Sequence, residues 1–374
     1  MEFINVKLSD IGEVVGGSTP STKNIDNYDG NIAWITPKDL AGYNKVYISS
    51  GERNITEAGF KSCSTKMLPK NSVLFSSRAP IGYVAISEND LCTNQGFKSI
   101  IPNEKVDYKF LYYLLKHNKD YIASKGSGST FKEVSGSVMK GIELSIPKDI
   151  NDQRRISKVL FDIDKKIELN NEINNNLYEV SKQLLLKYLE DNSNFEEINI
   201  SELLNVFTGK KNANETSPNG KYKFFSCAPE SLLSDTYLYD EAAIIVAGNG
   251  AYTGRTRFYD GKFELYQRTY GLTLKDNLNK NNIYGLYVFM KTIFEPDKMG
   301  GTHGSAIPYI VLSDLTDYKL KYNKIEFNKF SDLVSNNIKM IQENEKANEE
   351  LSQLRDTLLL KLMNGEIDLD NIEI

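Results

Sequence analysis

Pro296-Asp297 followed by Asp317-Tyr318-Lys319 fits a loose nuclease pattern, in which two carboxylates hold a magnesium ion and a lysine helps to activate water. The pattern is degenerate. Asp297 follows a predicted helix rather than a strand, and the first half of the chain has no counterpart. A solvated loop and a strand with outward charges therefore explain these residues better. GNGAYTG (248–254) is glycine-rich after a strand, but its spacing is G-x-G-x-x-x-G. RTRFYDGKFELY behind it alternates like a hairpin and opens no helix, which argues against a dinucleotide site. No G-x-x-x-x-G-K-[S/T] phosphate loop is present. No two prolines are adjacent, so the Asn/Asp-Pro-Pro-aromatic motif of amino methyltransferases is missing.

Polar and aromatic loops give the stronger signal, because they occur twice. FSSRAPIGY (75–83) sets Ser76, Ser77, Arg78 and Tyr83 around a turn made by Pro80 and Gly82. GNGAYTGRTR (248–257) sets Asn249, Tyr252, Arg255 and Arg257 in the corresponding place. TNQGFK (93–98) adds Asn94, Gln95 and Lys98, and YQRTYG (266–271) adds Gln267, Arg268 and Tyr270. Arginine pairs with the guanine edge, and asparagine or glutamine with adenine. Serine, lysine and the amides of glycine loops suit phosphates. Each residue alone is an ordinary surface side chain; the repetition points to DNA.

The elements that must position these loops also repeat. The chain has 374 residues, room for two or three domains. LLLK occurs at 184–187 and again at 358–361. Two proline-free helical stretches carry these phrases, one beginning near Asn151, capped by Asn151-Asp152, and one near Asn328, ending at Asn364-Gly365. Both show a seven-residue repeat in the same register at an offset of 174. One seam set is Ile163, Asn170, Leu177 and Leu184 with Asn337, Asn344, Leu351 and Leu358; the other is Val159, Lys166, Ile173 and Val180 with Leu333, Met340, Ala347 and Leu354. Asn170 and Asn344 fall at equivalent seam positions and predict polar contacts near the middle of a helix pair. Before each helix lies a region rich in Tyr, Phe, Ile and Val. SDIGEVVGG (9–17) matches SELLNVFTG (201–209), and the strand NSVLFSSRAPIGYVAI (71–86) parallels EAAIIVAGNGAYTGRTRFY (241–259). YKFLYYLLKHNKDYIAS (108–124) parallels IYGLYVFMKTIFE (283–295), and GSGST (126–130) parallels GGTHGS (300–305). Each glycine-serine loop leads to an alternating strand, in KGIELSIP (140–147) and DYKLKY (317–322). The order is kept, which reads as an internal duplication: globular, helix, globular, helix.

The net charge of −5 sits at the end of the chain: residues 326–374 carry −6 and the remainder +1. This excludes a strongly basic, non-specific DNA binder but leaves room for local basic surfaces. Three scattered cysteines fit a reducing cytoplasm. With only His117 and His303 and no paired cysteines, no metal site is expected. No apolar run approaches a membrane span and no signal peptide is read.

Taken in order, GGSTPSTKNIDNYDGNIAWITPKDL (16–40), NITEAGFKSCSTKMLPKNSVLFSSRAPIGYVAI (54–86), TNQGFKSI, and the glycine-serine loop before SIP resemble the specificity subunits of Type I restriction-modification systems. The second half keeps TYGLTL, GTHGS and LLLKLMNGEIDL. The family often has Glu-Gln where the first helix starts; here NDQ (151–153) stands there, and the second helix lacks the glutamine. The resemblance implies an α/β (α+β) fold of two mixed target-recognition domains, 1–150 and 191–325. Two long antiparallel helices, 151–190 and 326–374, would join them as a coiled coil with pseudo-twofold internal duplication. Each domain would read half of a bipartite double-stranded DNA site, and the helices would act as spacer and as docking platform for two methylation subunits. The chain would itself be non-catalytic and bind no cofactor. S-adenosylmethionine would sit on the methylation subunits, which modify adenines, and ATP and Mg on restriction/translocase subunits. Alternatives are the targeting subunit of a related restriction-methylation system, a scaffold that does not read DNA, and the nuclease using Asp297, Asp317 and Lys319.

Overall fold

The structure, a computed structural model, describes residues 1–128, 132–190, 194–293 and 308–367. Asp297, GGTHGS (300–305) and the end of GSGST lie outside the described residues. The chain divides into two compact units, Met1–Asn170 with Ala347–Ile374, and Asn171–Lys346.

In the first unit, the run Val73–Ser77 is buried along its whole length because both faces of its sheet are covered. Val73 and Phe75 point into one cluster with Phe110, Leu111 and Leu114 of the helix Tyr108–His117. Leu74 points the other way, against Val15, Ile35, Leu40 and Phe97. This two-residue alternation places the strand at the centre of a five-stranded sheet. The order is Gly12–Gly16, Lys98–Pro102, Val73–Ser77, Ile81–Ser87 and Tyr47–Ile48, and only the last pair is parallel. Phe3–Lys7 and Glu143–Pro147 form a separate antiparallel ribbon.

The second unit repeats the five-strand order and the ribbon. Its sheet runs Leu204–Thr208, Thr269–Leu274, Tyr239–Ala247, Thr256–Leu265 and Tyr222–Phe225, again with only that final pair parallel; Leu232–Ser234 is added at the edge. In the central strand Ile244 and Val246 face the helix Asn282–Ile293, while Ala243 and Ile245 face the opposite cluster. Glu196–Asn199 and Lys319–Tyr322 form the matching ribbon. The stretches 71–86 and 241–259, read from sequence as single strands, are each a hairpin. In the first, the turn holds a cis Ala79-Pro80 bond and Gly82 at φ 105°.

The long helices are Ile150–Glu190 and Lys324–Met363. The first is capped by Asp149, whose Oδ1 accepts from the Asn151 amide at 2.8 Å, and not by Asn151 or Asp152. The second starts four residues before Asn328, because Asn323 Oδ1 accepts from the Ile325 and Glu326 amides. It ends where Gly365 takes φ 70° and the Glu366 amide reaches the Lys361 carbonyl, a glycine stop. Gln153 fixes the entry of the first helix: wholly buried, it donates to the Pro147 and Lys105 carbonyls and accepts from the Asp107 amide. Phe327, at the offset of 174, replaces those bonds by packing among Tyr188, Tyr322 and Phe330.

Within each unit the helices run antiparallel. In the first, Asp164 meets Arg355 and Asn170 donates to Asn348 Oδ1 at 2.8 Å. In the second, Asn344 donates to Asn174 at 2.8 Å, Asn337 to Ser181 at 3.1 Å, and Tyr188 stacks on Phe330. The pairs 170–348 and 344–174 map onto each other at the offset of 174, so the duplication extends to side-chain hydrogen bonds. Ile163, Asn170, Leu177, Leu184, Asn337, Asn344, Leu351 and Leu358 are half-buried or buried. The second seam set needs correction. Val180, Leu333, Met340 and Leu354 are largely exposed, and their neighbours one residue later, Ser181, Val334, Ile341 and Arg355, face inward.

Candidate nucleic-acid interface

Antiparallel pairing gathers loops at one end of each sheet. In the first unit these are the loop after Gly16, the 78–80 turn and the loop 94–97. The Ser18 amide bonds the Thr93 carbonyl, the Ser77 amide bonds the Gly96 carbonyl, and Ser76 bridges Phe97. In the second unit the loop after Thr208, the turn 248–255 and the loop 266–268 meet in the same way. Gly209 N bonds Thr269 O, Gln267 N bonds Lys211 O, and Gly248 N bonds Arg268 O. Gly17 and Gly209 are equivalent, and each must be glycine: a Cβ would stand 2.1 Å from the Thr93 oxygen and 2.3 Å from the Leu265 oxygen, respectively.

The candidate residues divide into framework and surface. Ser76 is buried, donating to Pro80 O and accepting from Tyr83 N, both at 2.8 Å. Ser77 is buried and donates to Gly96 O at 3.1 Å. Lys98 is largely buried and meets Glu133 at 3.1 Å; Arg78, more open, meets the other Glu133 oxygen at 3.5 Å. Asn94 accepts from the Gly96 amide, shaping its loop. Gln95 is exposed and receives a hydrogen bond from Thr19, and Tyr83 is half-buried.

In the second unit Arg257 is framework. Its guanidinium donates to Ser226 O at 2.6 Å and Pro229 O at 3.0 Å and lies over Phe225. Burial, and then the Arg255 charge, push its pKa down to about 10, still protonated at neutral pH. Tyr270 is buried with its hydroxyl on Ile310 O. Asn249 Oδ1 accepts from Cys227 Sγ at 3.1 Å. Tyr252 is 39% exposed with Arg255 over its ring at 4.4 Å. Gln267 and Arg268 are exposed. A more open set therefore remains at each sheet end: Arg78 and Gln95, and Tyr252, Arg255, Gln267 and Arg268; Tyr83 packs partly against the cluster of Leu40 and Leu74. Such groups offer guanidinium, amide and aromatic recognition.

Thr19, Glu133, Lys211 and Cys227 also belong to these loop clusters and were missed in the sequence. Offsetting SDIGEVVGGST onto SELLNVFTGKK pairs Thr19 with Lys211, and both touch equivalent glutamines, Gln95 and Gln267. That alignment was the available signal; Glu133 and Cys227 left none. Of the nuclease trio, Lys319 pairs with Glu197 at 2.9 Å and Asp317 is exposed beside Thr316. Among the described residues no three His, Cys, Asp or Glu side chains group as metal ligands, and no helix is long and apolar enough to cross a membrane.

Residues 2–179 and 192–351 match the family described as Type I restriction modification DNA specificity domain. The chain is 33% identical, over 407 aligned positions, to the Type I restriction enzyme MjaIX specificity subunit of Methanocaldococcus jannaschii, covering 98% of this chain and 94% of that protein. It is 31% identical over 177 residues to the EcoR124I/EcoR124II specificity subunit of Escherichia coli, covering 46% of this chain and 42% of that one. Its fold is shared with the S subunit of a Type I restriction-modification system from M. genitalium, at a TM-score of 0.65 and 18% identity over 97% of this chain and 96% of that one.

Proposed function

This chain belongs to the Type I restriction-modification DNA specificity family, and from that premise we propose that it reads a bipartite DNA site, one half with each loop cluster. The observation that carries this reading is the repeated sheet order, which delivers polar loops to the same end of both sheets. Arg78 and Gln95 contact one half-site. Tyr252, Arg255, Gln267 and Arg268 contact the other. Ser76, Ser77, Asn94, Lys98, Asn249, Arg257 and Tyr270 hold those loops in shape. The named relatives, all specificity subunits of Type I enzymes, support this reading.

The long helices act as spacer and docking surface. A helix of 41 residues measures roughly 60 Å at about 1.5 Å per residue. Leu333 and Met340, seven residues apart on the second long helix, stay exposed as an apolar stripe suited to a methylation subunit. The chemistry belongs to the partners: adenine methylation with S-adenosylmethionine on two methylation subunits, and ATP- and Mg-dependent cleavage on restriction subunits. The test is competition binding by the complex of this chain with its methylation subunits against a randomised duplex library. Two blocks of sequence preference separated by an indifferent gap are expected. Uniform binding to all sequences would instead favour a scaffold.

A further inference from the structure

A cavity of about 350 Å³ lies within the first unit, lined by Lys45, Tyr83, Lys116, Lys119, Asp164 and Arg355 among others. Four cations face it and one carboxylate. That carboxylate is already committed: Asp164 accepts from the Tyr113 hydroxyl at 2.6 Å on one oxygen and from Arg355 at 2.7 Å on the other. Arg355 is shared with Asp356. Among the described residues the Lys116 ammonium meets Tyr112, donating to its hydroxyl at 3.4 Å. Among the described residues neither Lys116 nor Lys119 has a carboxylate within ion-pair distance. Burial pushes the Lys116 pKa down; Asp164 and Asp356 pull it up, and Arg355 and Lys119 push it down. Asp164 and Asp356 offset that burial only in part, and a half-hidden cation whose charge is incompletely balanced is costly unless something supplies the rest.

The repeated fold does not require this arrangement. Matching FLYYLLKH (110–117) to GLYVFMKT (285–292) pairs Lys116 with Lys291, which lies over the Tyr178 ring at 4.0 Å. At the offset of 174, Asp164 becomes Ile338 and Arg355 becomes Ser181. Among the described residues the Asp164–Arg355 part of this lining therefore has no counterpart in the second unit. It also adjoins the 78–82 turn: a Cβ on Gly82 would stand 3.3 Å from Lys119 Cβ, and Tyr83 forms part of the wall.

We infer that this cavity takes a phosphate group, with Lys116 and Lys119 as its cationic pair. Two uncommitted ammonium groups match a phosphate charge, and the volume admits a phosphate with an attached sugar. The DNA reading proposed above bears only on the source, a backbone phosphate or a free one.

Inorganic phosphate is titrated into the full chain and followed by ³¹P NMR, with Lys116→Met, the exposed Lys119→Met, and remote Lys70→Met compared. Saturable binding is expected, weakened at least tenfold by the first, several-fold by the second and unchanged by the third. The salt dependence of duplex binding by the complex with methylation subunits distinguishes the sources. A slope in log K against log salt that falls by about one for Lys116→Met assigns the occupant to DNA. An unchanged slope with intact phosphate binding assigns it to free phosphate. If the chain binds no phosphate and neither lysine changes the slope while the complex still binds DNA, the cavity inference is wrong and the DNA reading stands. If the complex binds no DNA, the phosphate titration alone decides the cavity. Should Lys116→Met misfold, Lys119→Met decides both comparisons.

Discussion

Arg257 and Arg268 are close in sequence, yet the first is bound to two backbone carbonyls and the second faces solvent. Replacing Arg257 by alanine leaves the Ser226 and Pro229 oxygens without their donor and empties space over Phe225. A loss of about 1–3 kcal/mol is expected in urea unfolding, from the buried polar groups left unpaired. Replacing Gln95 by alanine has the opposite profile. Stability holds, and preference relaxes by about 1–3 kcal/mol at positions in one half-site only, read by competition among duplex variants. Gln267→Ala relaxes the other half. Exposure was what the sequence could not supply: residue type marked Ser77, Lys98 and Arg257 as contacts, while their burial depends on neighbours such as Gly96 and Glu133 that are distant in the chain.

Among the elements, the duplication was legible because strand patterns, helix length and LLLK recur in order, and the matching sheet orders reproduce it. The second seam set was displaced by one residue for a physical reason. A helix that packs both on its partner and on a sheet buries a broad stripe, so the seven-residue repeat admits two registers. The polar pairs choose between them. Arg355 and Asp164 are both largely buried, and Arg355→Ala strands the carboxylate with only Tyr113. A loss of about 3–5 kcal/mol is expected in urea unfolding, as for other buried pairs broken on one side. Asn170→Leu removes the partner of Asn348 from a buried position. Thermal unfolding should then shift upward, with less uniform pairing visible as additional oligomers in sizing chromatography.

For the whole molecule, charge and duplication converge on one account. A chain of net charge −5 is a poor non-specific DNA binder, so its own contribution to DNA affinity must come from local groups repeated in two places. The most direct measurement maps methylated adenines produced by this chain with its methylation subunits, before and after seven residues are inserted in each long helix. Seven residues preserve the seam and add about 10 Å, close to three base pairs. The account predicts a split motif whose two halves are unchanged and whose gap widens after insertion. A contiguous motif, or a gap of the same length in both proteins, would contradict it.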